Sequence, residues 1–312
     1  MLDSSANRIA AWIACALCWA VAPAAPAETV TLSPAADTTL YETTPNNNLG
    51  ATPNVIAGTT AGNAGQPYRN RALIRFDIAD RIPAGAVITS ASLTLTVVRI
   101  PSVPADSTFE LHRLFKSWGE GNKDTNAGQQ ATTGEATWLS RFFLLPGWTT
   151  PGGNPGADFS TNASAATFVT GLGSYTFDSG SNLIADLQFW LDNTNTDFGW
   201  MLVSQDEATP STARRFASRE DPVNAPTLAI EFVPPPLIGE VSLQNTNLTF
   251  RFDVEAGYNY AVEYADAFPA TDWLVLTNYE AKLTSFEASV THSLEAIPGR
   301  YYRLSRVPCN CR

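Results

Sequence analysis

The sequence predicts an all-β protein: a two-sheet sandwich carrying one short helix, followed by a smaller β-sandwich domain. Three observations lead there. Short runs rich in Val, Ile, Thr, Phe and Tyr are separated along most of the chain by clusters of Gly, Pro, Asn and Asp, the punctuation of strands and turns. In Arg71-Ala72-Leu73-Ile74-Arg75-Phe76-Asp77-Ile78 a period of two sends Ala72, Ile74, Phe76 and Ile78 to one side and Arg71, Leu73, Arg75 and Asp77 to the other, one side core and the other a charged platform. Finally, Val233-Pro234-Pro235-Pro236 is a stiff, extended run that marks a domain boundary.

Taken in order, residues 1–27 read as an export signal. Arg8 closes a short leading region, Ile9 to Val21 is apolar, and Ala25-Pro26-Ala27 is a small-residue cleavage site, so Glu28 opens the expected mature chain. The apolar stretch falls short of the roughly 20 residues a membrane span needs. A secreted or cell-surface protein with no membrane span is expected.

Residues 28–233 form the first expected domain, with strands near 29–33, 38–41, 54–58, 71–78, 87–98, 109–114, 174–178, 198–204, 212–219 and 226–233. The one helical period lies in residues 181–192, where Leu183, Ile184, Leu187, Trp190 and Leu191 share a stripe, with Ser179 or Ser181 as the expected cap. Between Phe115 and Tyr175 runs a long connection containing Trp118, Trp138 and Trp148. Its length requires that it be ordered by its own aromatics or serve a function, and Trp118 and Trp138 are expected as buried pins rather than sugar-stacking platforms.

After the linker at 234–236, residues 237–308 alternate strictly. Leu248, Phe250, Phe252 and Val254 form one apolar face; after Glu255-Ala256-Gly257 the face Tyr258, Tyr260, Val262 and Tyr264 answers it, which predicts a hairpin. Further strands are expected around 273–276, 285–292 and 300–307. A core this small is near the lower limit for independent folding, which accounts for the many aromatics. In the tail, 309–312, Cys309 and Cys311 are too close to form an unstrained ring with each other; they are an inert terminus or a contact between chains.

The net charge of −11 argues against nucleic acid as a partner, because neutralising phosphates takes a basic footprint. Only three of the 19 basic residues are lysine. Arginine's planar fork suits carboxylate or sulfate groups, and Arg69, Arg71 and Arg75 with Arg214, Arg215 and Arg219 fall in two short stretches. The alternative is that they pair with Asp77, Glu220 and Asp221 as surface ion pairs.

The first domain resembles the DNRLRE, or disaggregatase-related, type of secreted bacterial module. The pieces carrying the resemblance are Asp37-Thr38-Thr39-Leu40, Asn47-Asn48-Leu49-Gly50, Arg71 to Ile78, Ile82-Pro83-Ala84-Gly85-Ala86-Val87-Ile88, Ala91 to Leu95, Trp118-Gly119-Glu120, Ala136-Thr137-Trp138, Phe198 to Leu202 and Phe216-Ala217-Ser218-Arg219-Glu220. It implies a jelly-roll sandwich and non-catalytic binding of polysaccharide, acidic glycans such as alginate among them. Through Tyr260 to Tyr264, Trp273 and Arg300 to Leu304 the tail domain is similar to a small fibronectin-like β module appended to exported planctomycete and verrucomicrobial proteins, and no activity follows from that.

The expected ligand-binding residues are Arg71 and Arg75 as fork donors, Arg69, Arg215 and Arg219 in support, and Tyr68 and His112 as stacking or hydrogen-bonding partners. A different class of reading is an extracellular structural or adhesion protein without a small ligand. A third is a polysaccharide lyase, in which cations would neutralise a uronate while His112, beside Glu110 on an outer face, moves the proton. No hydrolase elbow, zinc helix or phosphate loop is present. No catalytic residue, metal ligand or cofactor is assigned; a structural calcium, were one held, would sit on loop oxygens near Asp37 or Asp158.

Overall fold

The computed structural model describes residues 27–62, 67–294 and 299–309. The expected export signal and Cys311 lie outside them. The chain divides into two compact units that meet at Pro235 and Pro236.

In the first unit the strands are β1 (Glu28–Leu32), β2 (Ala36–Tyr41), β3 (Asn47–Asn48), β4 (Asn54–Thr59), β5 (Arg69–Arg75), β6 (Val87–Arg99), β7 (Ser107–Arg113), β8 (Gln129–Gln130), β9 (Ala165–Val169), β10 (Gly173–Phe177), β11 (Trp200–Ser204), β12 (Arg214–Ala217) and β13 (Thr227–Val233), with helix α1 (Ser181–Asp192) between β10 and β11. All pair antiparallel. One sheet runs β1-β13-β6-β12-β4, with β10 also on β6; the other runs β4-β5-β11-β7-β9, with β2 also on β5. β4 belongs to both: Asn54–Ala57 pairs with β12, then Gly58 and Thr59 pair with β5. The turn is made at Gly58, whose φ of +96° favours glycine and whose added Cβ would lie 2.8 Å from the Thr212 carbonyl oxygen.

Alternation on β5 and β6 places Ala72, Ile74, Leu93, Leu95 and Val97 between the sheets, where they meet Phe109, Leu111, Trp200 and Leu202. The helix closes this core with Leu183, Leu187, Trp190 and Leu191, and Trp190 sits edge-on to Trp200 at 4.6 Å. Each large side chain buried this way stabilises the fold by about 1.5–3 kcal/mol. The expected serine cap is not formed. Gly180 occupies the cap position, and the Ser179 hydroxyl instead accepts the Ala91 N–H of β6 at 3.1 Å.

The long connection is a layer of its own. Its Trp138, Trp148 and Phe159 pack onto Leu40, Leu73, Met201 and Val203, a second apolar cluster on the outer side of the β5-containing sheet. Indole N–H groups fasten it further: Trp118 donates to the Phe198 carbonyl at 2.9 Å and Trp148 to the Thr137 carbonyl at 3.0 Å. Pieces of sequence far apart meet at its anchor. Buried Asn48 donates to the carbonyls of Glu120 (2.6 Å) and Ala136 (3.0 Å), and the Glu120 carboxylate accepts the Asp37 N–H at 2.9 Å.

The second unit has β14 (Gly239–Gln244), β15 (Asn247–Val254), β16 (Tyr258–Ala265), β17 (Leu274–Tyr279), β18 (Phe286–Ser293) and β19 (Tyr301–Pro308). They form two three-stranded antiparallel sheets, β14-β15-β18 and β17-β16-β19. The predicted hairpin between β15 and β16 is therefore wrong. The two strands lie in different sheets, and their apolar faces, Phe250, Phe252 and Val254 against Tyr260 and Val262, face each other across the core. Cys309 is held in a disulfide and is not a free thiol. Among the described residues no helix is long and apolar enough to cross a membrane.

Candidate functional site

Arg71 points away from the main core, as the alternation requires, but it is not on display. It is 7% exposed, because the long connection lies over it. Its Nε and Nη2 grip the two carboxylate oxygens of Glu207, each at 2.7 Å, while Nη1 donates to the carbonyls of Gly152 (2.8 Å) and Gly153 (3.0 Å). The rings of Trp138 and Phe159 lie 5.8 and 5.5 Å from the guanidinium carbon. A ligand would have to evict Glu207. The expected outward fork is thus an internal rivet.

His112 shares that fate. It neighbours Glu110, whose carboxylate is 3.2 Å from Nε2, but it is buried, with Nδ1 2.9 Å from the Ser160 carbonyl and its ring edge-on to Phe159. No open face reaches it. Arg69 forks Glu42, with Nη2 at 2.6 Å, and lies over Trp138 at 5.2 Å. Burial alone would raise the Glu42 carboxyl, yet the side-chain and backbone hydrogen bonds from Arg69 hold it below its ordinary range. Half-buried Tyr68 ties its backbone to Thr60. Arg219 is bidentate to Glu120 at 2.6 and 3.0 Å and also meets Glu220 at 3.0 Å. Asp158, named as a place for calcium, spends its oxygens on the Thr149 N–H and hydroxyl and the Asn154 N–H. Among the described residues no group of three or more His, Cys, Asp or Glu side chains is arranged to hold a metal.

Two arginines are in the opposite condition. Arg215 on β12 donates only to amide oxygens, Asn54 at 2.9 Å and Asn126 at 3.4 Å. Directly opposite it on β6 is exposed Arg99. Among the described residues neither joins an ion pair. The register shifts between Arg215 and Phe216: Phe216 is opposite Val97 in the core, but Arg215 is opposite Arg99, so one extra residue on β6 turns Arg99 onto the outer face beside Arg215. Burial, then the Arg99 charge, lowers the pKa of the Arg215 guanidinium.

The two line a cavity of about 270 Å³ with Tyr41, Thr60, Pro101 and Ser102. Two like charges side by side without an acid are unfavourable unless an anion joins them, and the tyrosine and hydroxyls around them offer stacking and further hydrogen bonds. The pair has the chemistry to receive an anion, in a protein that is acidic overall. Arg215 is the one expected ligand residue that the pair contains. Arg99 was not anticipated; the consecutive apolar pair Val97-Val98, which interrupts the alternation ahead of it, is the signal of the bulge. Arg75 stands apart at the other end of β5, its side chain 39% exposed and 3.7 Å from Asp77. No protein-family model matches this chain, and no curated protein matches it.

Proposed function

We propose that the chain is an exported, non-catalytic polysaccharide-binding protein with a DNRLRE-like first domain, and that Arg99 and Arg215 receive a carboxylate or sulfate of an acidic glycan such as alginate. The observation that carries this is the pair of adjacent guanidiniums in one open cavity without a neighbouring acid. Charge-assisted, forked hydrogen bonds to a uronate are the strongest such a pair can make, and Tyr41 supplies a ring for a sugar face.

Affinity electrophoresis through gels containing alginate, pectin or neutral glucan tests it. Retardation of the mature chain by the acidic polymers, reduced at least about tenfold in apparent affinity by the double variant Arg99→Ala/Arg215→Ala, is expected. No retardation in any gel, or retardation equal in the variant, overturns it. The same samples, followed for unsaturated product by ultraviolet absorbance, test the lyase reading.

The structural or adhesion reading has one observation of its own. Every residue of β14 is exposed, Val241 and Leu243 included, on a strand that pairs only with β15. Self-association of a chain that binds no glycan would favour it.

A further inference from the structure

The tail domain carries a surface of its own. On β16, Tyr260 and Val262 face the core. Ala261, Glu263 and Ala265 therefore face outward, and the register sets the outer residues of the neighbouring strands beside them. Ser305 and Asn278 flank Ala261, Arg303 and Val275 flank Glu263, and Tyr301 is opposite Ala265. Three rows of side chains thus cross the outer face of the sheet β17-β16-β19. From the first row to the last is four residues of strand, roughly 13 Å.

The rows differ in chemistry. The first is low, because Ala261 and Ser305 are small, and it floors a cavity of about 380 Å³ whose walls include Asn259, Asn278 and Glu280. Such a volume is at the small end of ligand cavities, about 300–1,000 Å³. Asn278 and Glu280 are exposed, and among the described residues neither their side chains nor the Ser305 hydroxyl has a hydrogen-bond partner. The second row is charged but internally neutral: Arg303 Nε donates to the Glu263 carboxylate at 2.8 Å, and its guanidinium lies over the ring of Trp273 at 4.4 Å. The third ends in an aromatic ledge. Phe268 and Tyr301, 69% and 46% exposed, stand 5.3 Å apart.

This sequence of rows selects an occupant. The backbone of β16 is spent on β17 and β19, so the face offers side chains alone, whereas an added peptide strand would pair at a sheet edge. A purely apolar partner would strip water from Asn278 and Glu280 and put nothing in its place. A polyanion would meet Glu280, while Arg303 is already taken by Glu263. A sugar ring fits each demand: its C–H faces lie against Phe268 and Tyr301, and its hydroxyls donate to Glu280 and accept from Asn278.

We propose that the outer face of β17-β16-β19 binds a neutral linear polysaccharide, with one ring in the Ala261 trough, held by Asn278, Glu280 and Ser305, and a later ring of the same chain against Phe268 and Tyr301. The site lies in a different domain from the Arg99 and Arg215 pair and takes a ligand of different charge.

Trp273 is the only tryptophan after the linker, so its indole reports on this face, and the indoles of the first domain serve as controls. The test follows the mature chain, labelled with ¹⁵N in tryptophan, during titration with di- and hexasaccharides of β-1,4-glucan, β-1,4-mannan and β-1,3-glucan. The Trp273 cross-peak, identified by its loss in Trp273→Phe, moves along a saturating curve for at least one hexasaccharide while the other indoles stay still. Half-saturation rises at least about tenfold in Phe268→Ala/Tyr301→Ala and several-fold in Asn278→Ala, each with an unchanged circular dichroism spectrum, and is the same in Arg99→Ala/Arg215→Ala. The disaccharide, too short to reach from trough to ledge, half-saturates at least about tenfold higher than the hexasaccharide. A Trp273 cross-peak that stays still up to about 10 mM of all three hexasaccharides, well above a submillimolar Kd, overturns the site. So does a curve unaltered in both tail-domain variants, equal half-saturation by the two chain lengths, or a curve lost with Arg99 and Arg215.

Discussion

The first domain presents arginines on two outer faces, and they do opposite things. On the face that carries β5, Arg71 is covered, forked by Glu207 and stacked between Trp138 and Phe159. At the end of β6 and β12, Arg99 and Arg215 stand together, and among the described residues neither is paired with an acid. The side of a strand on which a residue falls is set by parity, but its availability is set by what the rest of the chain lays over that side.

The largest expected effect tests the covered partner. Arg71→Ala leaves Glu207 and the carbonyls of Gly152 and Gly153 unmatched under the connection, and should cost about 3–5 kcal/mol in urea unfolding. A loss below about 1 kcal/mol would mean that this face is looser than its hydrogen bonds imply.

Asp37 sharpens the contrast from the acidic side. It is 1% exposed at the anchor of the connection and accepts the Arg219 N–H. Burial, aided by the Glu220 and Glu120 charges and opposed by that hydrogen bond, pushes its carboxyl from 3.8 up to about 8. The folded value lies above the unfolded one, so its contribution to stability is complete below about pH 4 and is lost as the pH rises through about 8. Asp37→Asn keeps the acceptor without the charge. It should gain about 2 kcal/mol at pH 8, a rise in Tm of about 4–8 °C, and little at pH 4. Melting curves at the two pH values decide it.

A smaller effect is expected in the tail domain. His292 Nε2 is 3.1 Å from Arg300 Nη1, a donor, so Nδ1 carries the proton toward the Tyr302 hydroxyl at 2.9 Å. Burial and then the Arg300 charge hold the His292 pKa below 6.5. The unfolded chain takes up the proton first, so stability falls as the pH drops below about 6.5. His292→Gln should flatten that fall, by less than about 1 kcal/mol, read as tail-domain unfolding at pH 5 and 7. Smallest of all is the stability cost of Arg99→Ala/Arg215→Ala, about 0.5 kcal/mol or less, since relief of repulsion offsets the lost Asn54 hydrogen bond. A large loss would make that pair structural, like Arg71.

Strands with sharp alternation were legible to within a few residues: 87–98 is observed as Val87–Arg99 and 226–233 as Thr227–Val233. The helix was legible in its stripe but not in its cap, because Ser179 finds a partner on another strand. The short polar strands β3 and β8 leave no periodic trace, and β9 hides inside the long connection. The pairing of β15 was misread because Glu255-Ala256-Gly257 resembles a tight turn whether the chain folds back or crosses to a facing sheet. For the site, Arg215 was legible by residue type. Arg99 was not, since its face depends on a one-residue shift that no alternation rule contains.

The layer formed by the long connection also constrains how this domain can change. Leu40, Leu73, Met201 and Val203 are oily on what would otherwise be a wetted surface, and Arg71 and His112 each bond to backbone carbonyls of the segment above them. A shortened descendant or a trimmed design could not simply drop that segment; it would have to repaint the exterior of four strands at the same time.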